Sequence, residues 1–238
     1  MPTTINKQRL VTQVMSCLSK SKAPPELPGR PVLEQFIYAV CREGSTREAA
    51  DNAFKSLQEQ FFDWNEVRVS SVRELADALE GVSDAEMRAQ RIIDFLQEVF
   101  ETTFSFDLEP LQKKGLKQAA KQLARYQAAN DYAVAWVVQQ SLAGHAVPLD
   151  SPSMRLLRRL GLLDGDSEQL ETLRASLEHH IPKARAPVFC DLISALAEEY
   201  CWEEDPNCVA CPLIACCATG QEFKAAMATS AGERRKPR

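Results

Sequence analysis

The chain contains no apolar run near the roughly 20 residues that a membrane span requires. Its opening stretch, Met1 to Lys22, is too polar for a secretory signal. Positive charge is not in excess either. Lys and Arg number 28 against 33 Asp and Glu, and the net charge of −5 slightly opposes a nucleic-acid partner. No segment alternates apolar and polar residues over a strand's length, and no internal repeat occurs. No histidine follows His180. What remains is a chain of 238 residues, 45% hydrophobic and 26% charged, long enough for one large or two modest domains.

The periodicity that is present is helical. Leu33, Phe36, Ile37 and Val40 mark one amphipathic face, and Ala50, Phe54, Leu57 and Phe61 mark another. Ser71 with Glu74 and Ser83 with Glu86 have the spacing of capping boxes at helix starts. Further helices are expected over Leu111 to Tyr126, Asp131 to Ala143, Ser153 to Leu160, Ser167 to His180 and Pro187 to Tyr200. Gly144, Gly161 and Pro182 punctuate them. The fold class is therefore all-α. Residues 1–30 and the tail after Phe223, which ends in a basic run, are expected to be loosely ordered.

Cys201, Cys208, Cys211 and Cys217 are spaced C-x6-C-x2-C-x5-C. Zinc fingers and ribbons repeat the close C-x2-C pair or add two histidines, and neither is found here. Four thiolates in an irregular loop, stiffened by Pro206 and Pro212, are the ligand set of a [4Fe–4S] cluster. Cys216 adjoins Cys217, and an x4 spacing leaves it as the alternative fourth ligand. Thiolate ligation without a secretory signal places the expected location in a reducing cytoplasm. No membrane partner is expected, and the expected state is a monomer.

Several stretches in order resemble the endonuclease III branch of the helix-hairpin-helix DNA glycosylases. They are Phe62-Asp-Trp-Asn-Glu-Val67 with Arg88-Ala-Gln-Arg-Ile-Ile93, then Val147-Pro-Leu-Asp150 with Arg158-Arg-Leu-Gly-Leu162, then the cysteine loop. The resemblance covers about residues 30–220. It implies two helical lobes with a DNA-binding cleft between them: a six-helix lobe near 48–160, and a cluster lobe of 31–47 with 161–222. It also implies that Asp150 is the carboxylate that stabilises the sugar cation as a damaged base leaves. Asp150 equally suits the N-cap of a helix starting near Ser153.

The sequence departs from the family's pattern where that pattern meets DNA. Tyr132 stands at the position of the nucleophilic lysine, and a phenol forms no Schiff base. The hairpin glycines are replaced by Ala128 and Asn130, and Asp131 adds negative charge. Asn130 keeps the ability to cap a helix and, with Arg155 and Arg158, is a candidate DNA contact. The implied function is base-excision repair by a monofunctional DNA N-glycosylase with weak or no AP-lyase activity, binding duplex DNA less tightly than is usual for the family. The alternative is a non-catalytic iron–sulfur protein of the same fold that binds DNA or a protein partner.

Overall fold

A computed structural model describes residues 7–18, 28–163 and 170–233. Among them there are helices and loops but no strand, as the periodicity predicts. In chain order the α-helices are α1 (Lys7–Leu18), α2 (Val32–Arg42), α3 (Arg47–Gln60), α4 (Trp64–Val69), α5 (Val72–Ala78) and α6 (Ala85–Thr103). They continue with α7 (Leu116–Leu123), α8 (Asp131–Gln140), α9 (Ser151–Leu160), α10 (Leu170–His180), α11 (Ala186–Glu199) and α12 (Ala218–Glu233). Short 3₁₀ turns, Glu109–Lys113 and Lys183–Arg185, precede α7 and α11. No helix among the described residues is long and apolar enough to cross a membrane.

Two compact units form. One contains residues 26–150 and the other residues 1–25 with 151–238. The segment 31–47 falls in the first of these units. Helix α2 is buried along nearly its whole length, Gln35 and Arg42 included, and so is surrounded by its neighbours. It packs against α3, α6 and α8. Phe36 and Ile37 are fully buried, and the Phe36 ring stacks on Phe95 of α6 at 3.6 Å. Glu109 accepts from the Val32 amide at 2.6 Å, placing a carboxylate at the N-terminus of α2, where the helix dipole favours it.

In the other unit Leu156, Leu157 and Leu160 of α9 are buried, as are Phe189, Ile193 and Ala197 of α11, and these two helices pack together. Here α1 corrects the expectation of a loose N-terminus. Leu10, Val11, Val14 and Met15 recur at helical spacing, are all buried, and seat α1 against α10. The segment beyond Phe223 is likewise helical, as part of the alanine-rich α12. Residues 1–6, 19–27, 164–169 and 234–238, on which parts of the terminal and Ser167 expectations fall, lie outside the described residues.

Ser71 and Glu74 form the expected capping box. Ser83 and Glu86 do not: Asp84 takes the N-cap of α6 in a left-handed conformation, φ 52°, with no side-chain cap. Ser83 is instead an acceptor for Arg88, so a tertiary bond overrides the local motif. The single helix expected over Leu111–Tyr126 is split at Lys114 and Gly115, where the 3₁₀ turn stops and α7 begins. Helix α8 ends at Gln140, and the chain returns so closely at Gly144 that a Cβ there would collide with the Val138 side chain.

Candidate functional site

Asp150 is 4% exposed and directly precedes α9, which starts at Ser151 and not near Ser153. Its Oδ2 accepts from the Gly44 amide at 2.9 Å, across 106 residues of sequence. Gly44 has φ +60°, a conformation that favours glycine. The turn that presents this amide, residues 42–45, is surrounded by arginines. Arg42, 2% exposed, donates to the Ser45 carbonyl, and Arg88 donates to the Val40 and Glu43 carbonyls. Arg91 pairs with the Glu43 carboxylate at 2.7 Å. Tyr132 is 5% exposed on α8, with its ring stacked on Trp136 at 6.1 Å. Its aromatic ring is thus part of the core.

The turn between α7 and α8 is tied down internally. The Gln127 amide donates to Glu98 Oε1 at 3.1 Å, and the Ala128 amide faces Glu98 Oε2 at 3.5 Å. Arg91 Nε donates to the Ala128 carbonyl at 2.8 Å. Asn130 caps α8 through the Ala133 amide at 2.9 Å, and its Nδ2 donates to both carboxylate oxygens of Glu43, at 2.8 and 2.9 Å. An acceptor and a donor that the sequence offers to a ligand are both engaged inside the protein. Glu98 and Glu43 carry no sequence signal for this role; both are remote in the chain and show no local motif.

Two of the three arginines on α9 face the cysteine loop. Arg155 Nε donates to the Cys201 carbonyl at 2.7 Å. Arg159 donates to the Trp202 and Glu203 carbonyls at 2.6 and 2.9 Å, and its Nη1 stands 3.3 Å from Cys201 Sγ. Arg158 is half-buried between them in sequence. Arg155 thus serves the loop, a partner that amphipathic spacing alone could not name.

Cys201, Cys208, Cys211 and Cys217 line one small cavity with Arg159, Tyr200 and Gly220 on its walls. Cys216 is not on that wall; its thiol faces the Leu213 carbonyl at 3.4 Å and contacts Cys17. The Gly220 amide donates to Cys217 Sγ at 3.4 Å. Burial first, and then the neighbouring sulfurs, push the Cys208 and Cys217 thiols up; in Cys211 burial and the other three sulfurs act in the same direction. Among the described residues no three His, Cys, Asp or Glu side chains converge closely enough to hold a single metal ion.

A helix–turn–helix at α7–α8, a buried aspartate ahead of α9 and a four-cysteine loop after α11 are set on a fold that is that of endonuclease III. It matches an endonuclease III solved in a non-covalent complex with DNA at a TM-score of 0.71, with 18% identity over 93% of this chain and 99% of that one. In sequence it is similar to protein ROS1A of Oryza sativa subsp. japonica, 27% identical over 205 residues. It is also similar to the DNA glycosylase/AP lyase ROS1 of Arabidopsis thaliana, 25% identical over 243 residues. These alignments take in 77% and 91% of this chain but only 10% and 17% of the relatives' lengths. No family model matches the chain.

Proposed function

We propose that the protein is a monofunctional DNA N-glycosylase of base-excision repair. The observation that supports this best is the Asp150 carboxylate, buried on an endonuclease III fold and held by the Gly44 amide. A carboxylate with one oxygen fixed in place is preorganised to stabilise positive charge on a sugar as its base departs. The target nucleotide leaves the duplex stack to reach it. Water then attacks the sugar, with Asp150 accepting its proton. Tyr132 offers no amine for a Schiff base and is packed on Trp136, so strand cleavage by a covalent imine is not part of the mechanism. In this respect the chain differs from the activity carried in the name of its Arabidopsis relative.

Cys201, Cys208, Cys211 and Cys217 would hold a [4Fe–4S] cluster. When bound, it supplies the cations that four neighbouring thiolates require and a cross-link for a loop with little core of its own. Arg155 and Arg159 orient that loop from α9. A second reading, a non-catalytic module that binds DNA weakly or binds a protein, is favoured by the Glu98 carboxylate on the hairpin amides and by the net charge of −5. Incubation with duplexes carrying uracil, thymine glycol or mismatched bases, followed by alkali, separates the two. Abasic sites that depend on Asp150 support the glycosylase, and their absence with every substrate supports the module.

A further inference from the structure

We infer that Arg88 is a positioning residue for Asp150, acting through the turn 42–45; this rests on the proposed role of Asp150. The carboxylate is oriented by a backbone amide, and an amide points only where its turn points. That turn has Gly44 at φ +60°. What holds it is Arg88 on α6, 8% exposed. Its guanidinium spans three places at once. It takes the Val40 and Glu43 carbonyls, left without helical partners as α2 ends, and donates to the Ser83 carbonyl and hydroxyl at 2.5 and 3.0 Å. Glu43, Gly44 and Ser45 thus hang from the guanidinium on one side and from Arg42 on the other.

Burial disfavours the charged form of Arg88, while the nearby Glu43 carboxylate favours it. A buried guanidinium with its donors satisfied by backbone carbonyls is a fixed part, and the planar fork of arginine suits several acceptors better than a lysine's point charge. Arg91 reaches Glu43 only through side chains and therefore fixes the turn less directly. The chain of contact runs from Arg88 to the Glu43 carbonyl, to the Gly44 amide, to Asp150 Oδ2. A merely structural arginine would lower stability when replaced and would leave the Gly44 amide as it is in molecules that remain folded.

The test is amide hydrogen exchange by NMR on full-length wild type, Arg88→Gln, Arg88→Lys and Ser83→Ala, with base release from a lesion duplex measured alongside. Arg88→Gln should reduce protection of the Gly44 amide about tenfold relative to the Phe36 and Ile37 amides of α2. Arg88→Lys should restore part of it, and kcat should fall in the same order with KM nearly unchanged. Ser83 is exposed, so Ser83→Ala should fold normally; it removes one acceptor of Arg88 and also the hydroxyl's own long contact to the Gly44 carbonyl at 3.5 Å, and should lower Gly44 protection about twofold to threefold. Gly44 protection that stays at the wild-type level in Arg88→Gln and Arg88→Lys, whatever Ser83→Ala does, or that falls only together with that of α2, overturns the inference. Absence of base release from the wild type would count against the glycosylase reading instead, and Gly44 exchange would still decide the role of Arg88.

Discussion

Replacing Glu98 with alanine should convert the sealed α7–α8 turn into one that accepts a phosphate. The carboxylate engages the Gln127 amide at 3.1 Å, an ordinary bond, and the Ala128 amide at 3.5 Å, a marginal one. Losing one sound bond from a half-buried acid costs about 1 kcal/mol. In a chain of this length that lowers Tm by roughly 2–4 °C. What is gained is a pair of free amides and one fewer negative charge. A single added phosphate contact steepens the dependence of log affinity on log salt by about 0.9, or about 3.5-fold in affinity over a fourfold change in salt. Fluorescence anisotropy on a lesion-free duplex between 50 and 200 mM salt measures it. A slope equal to that of the wild type, in a variant whose Tm falls by the expected amount, would refute the idea that Glu98 keeps phosphate from this turn.

Three other outcomes follow from the same contacts. Borohydride should trap no covalent complex with abasic-site DNA, because Tyr132, the residue that the resemblance aligns with the nucleophile, carries no amine and has its ring in the core; a strong adduct from the wild type would show another amine at work. Anaerobic preparations should be brown with about four irons per chain; Cys201→Ala and Cys217→Ala should lose iron, whereas Cys216→Ala should keep it, since only the first two line the cavity. Iron loss in Cys216→Ala, or stoichiometric zinc in the wild type, contradicts this assignment. Gly144→Ala should destabilise the protein by about 1–3 kcal/mol in urea unfolding, because the new methyl group would meet Leu116 Cδ1 at 2.9 Å and the Val138 carbonyl at 3.1 Å; an unchanged unfolding midpoint would mean that the loop gives way freely.

The helical class, most helix positions and the cysteine loop are legible in the sequence because each is a local pattern: a period of 3.6, a capping residue, a spacing of thiols. Asp150 is legible through the resemblance of its flanking residues. What is not legible depends on pairs distant in the chain. Ser83 has the spacing of a capping box, yet Arg88 claims it, and no window around Ser83 reveals that Arg88 must also hold the end of α2. Asn130 and Arg155 read as free polar groups near a ligand, and the structure gives them Glu43 and the Cys201 carbonyl as partners. Helix α1 is faint for another reason: four apolar residues among polar neighbours gain their meaning only once α10 is there to cover them.

The central claim is that Asp150 assists release of a base from DNA. The most direct measurement is alkali-revealed cleavage of uracil, thymine glycol and mismatch duplexes by the wild type and by Asp150→Asn. An asparagine oxygen still accepts from the Gly44 amide and caps a helix about as well as aspartate, so the variant should fold with an unchanged Tm. It should bind duplex as tightly as the wild type or more tightly, since a carboxylate that repels phosphate is gone. Abasic sites made by the wild type and lost in this folded, DNA-binding variant are the predicted result; equal cleavage by both proteins, or none by the wild type on any of the duplexes, would contradict it.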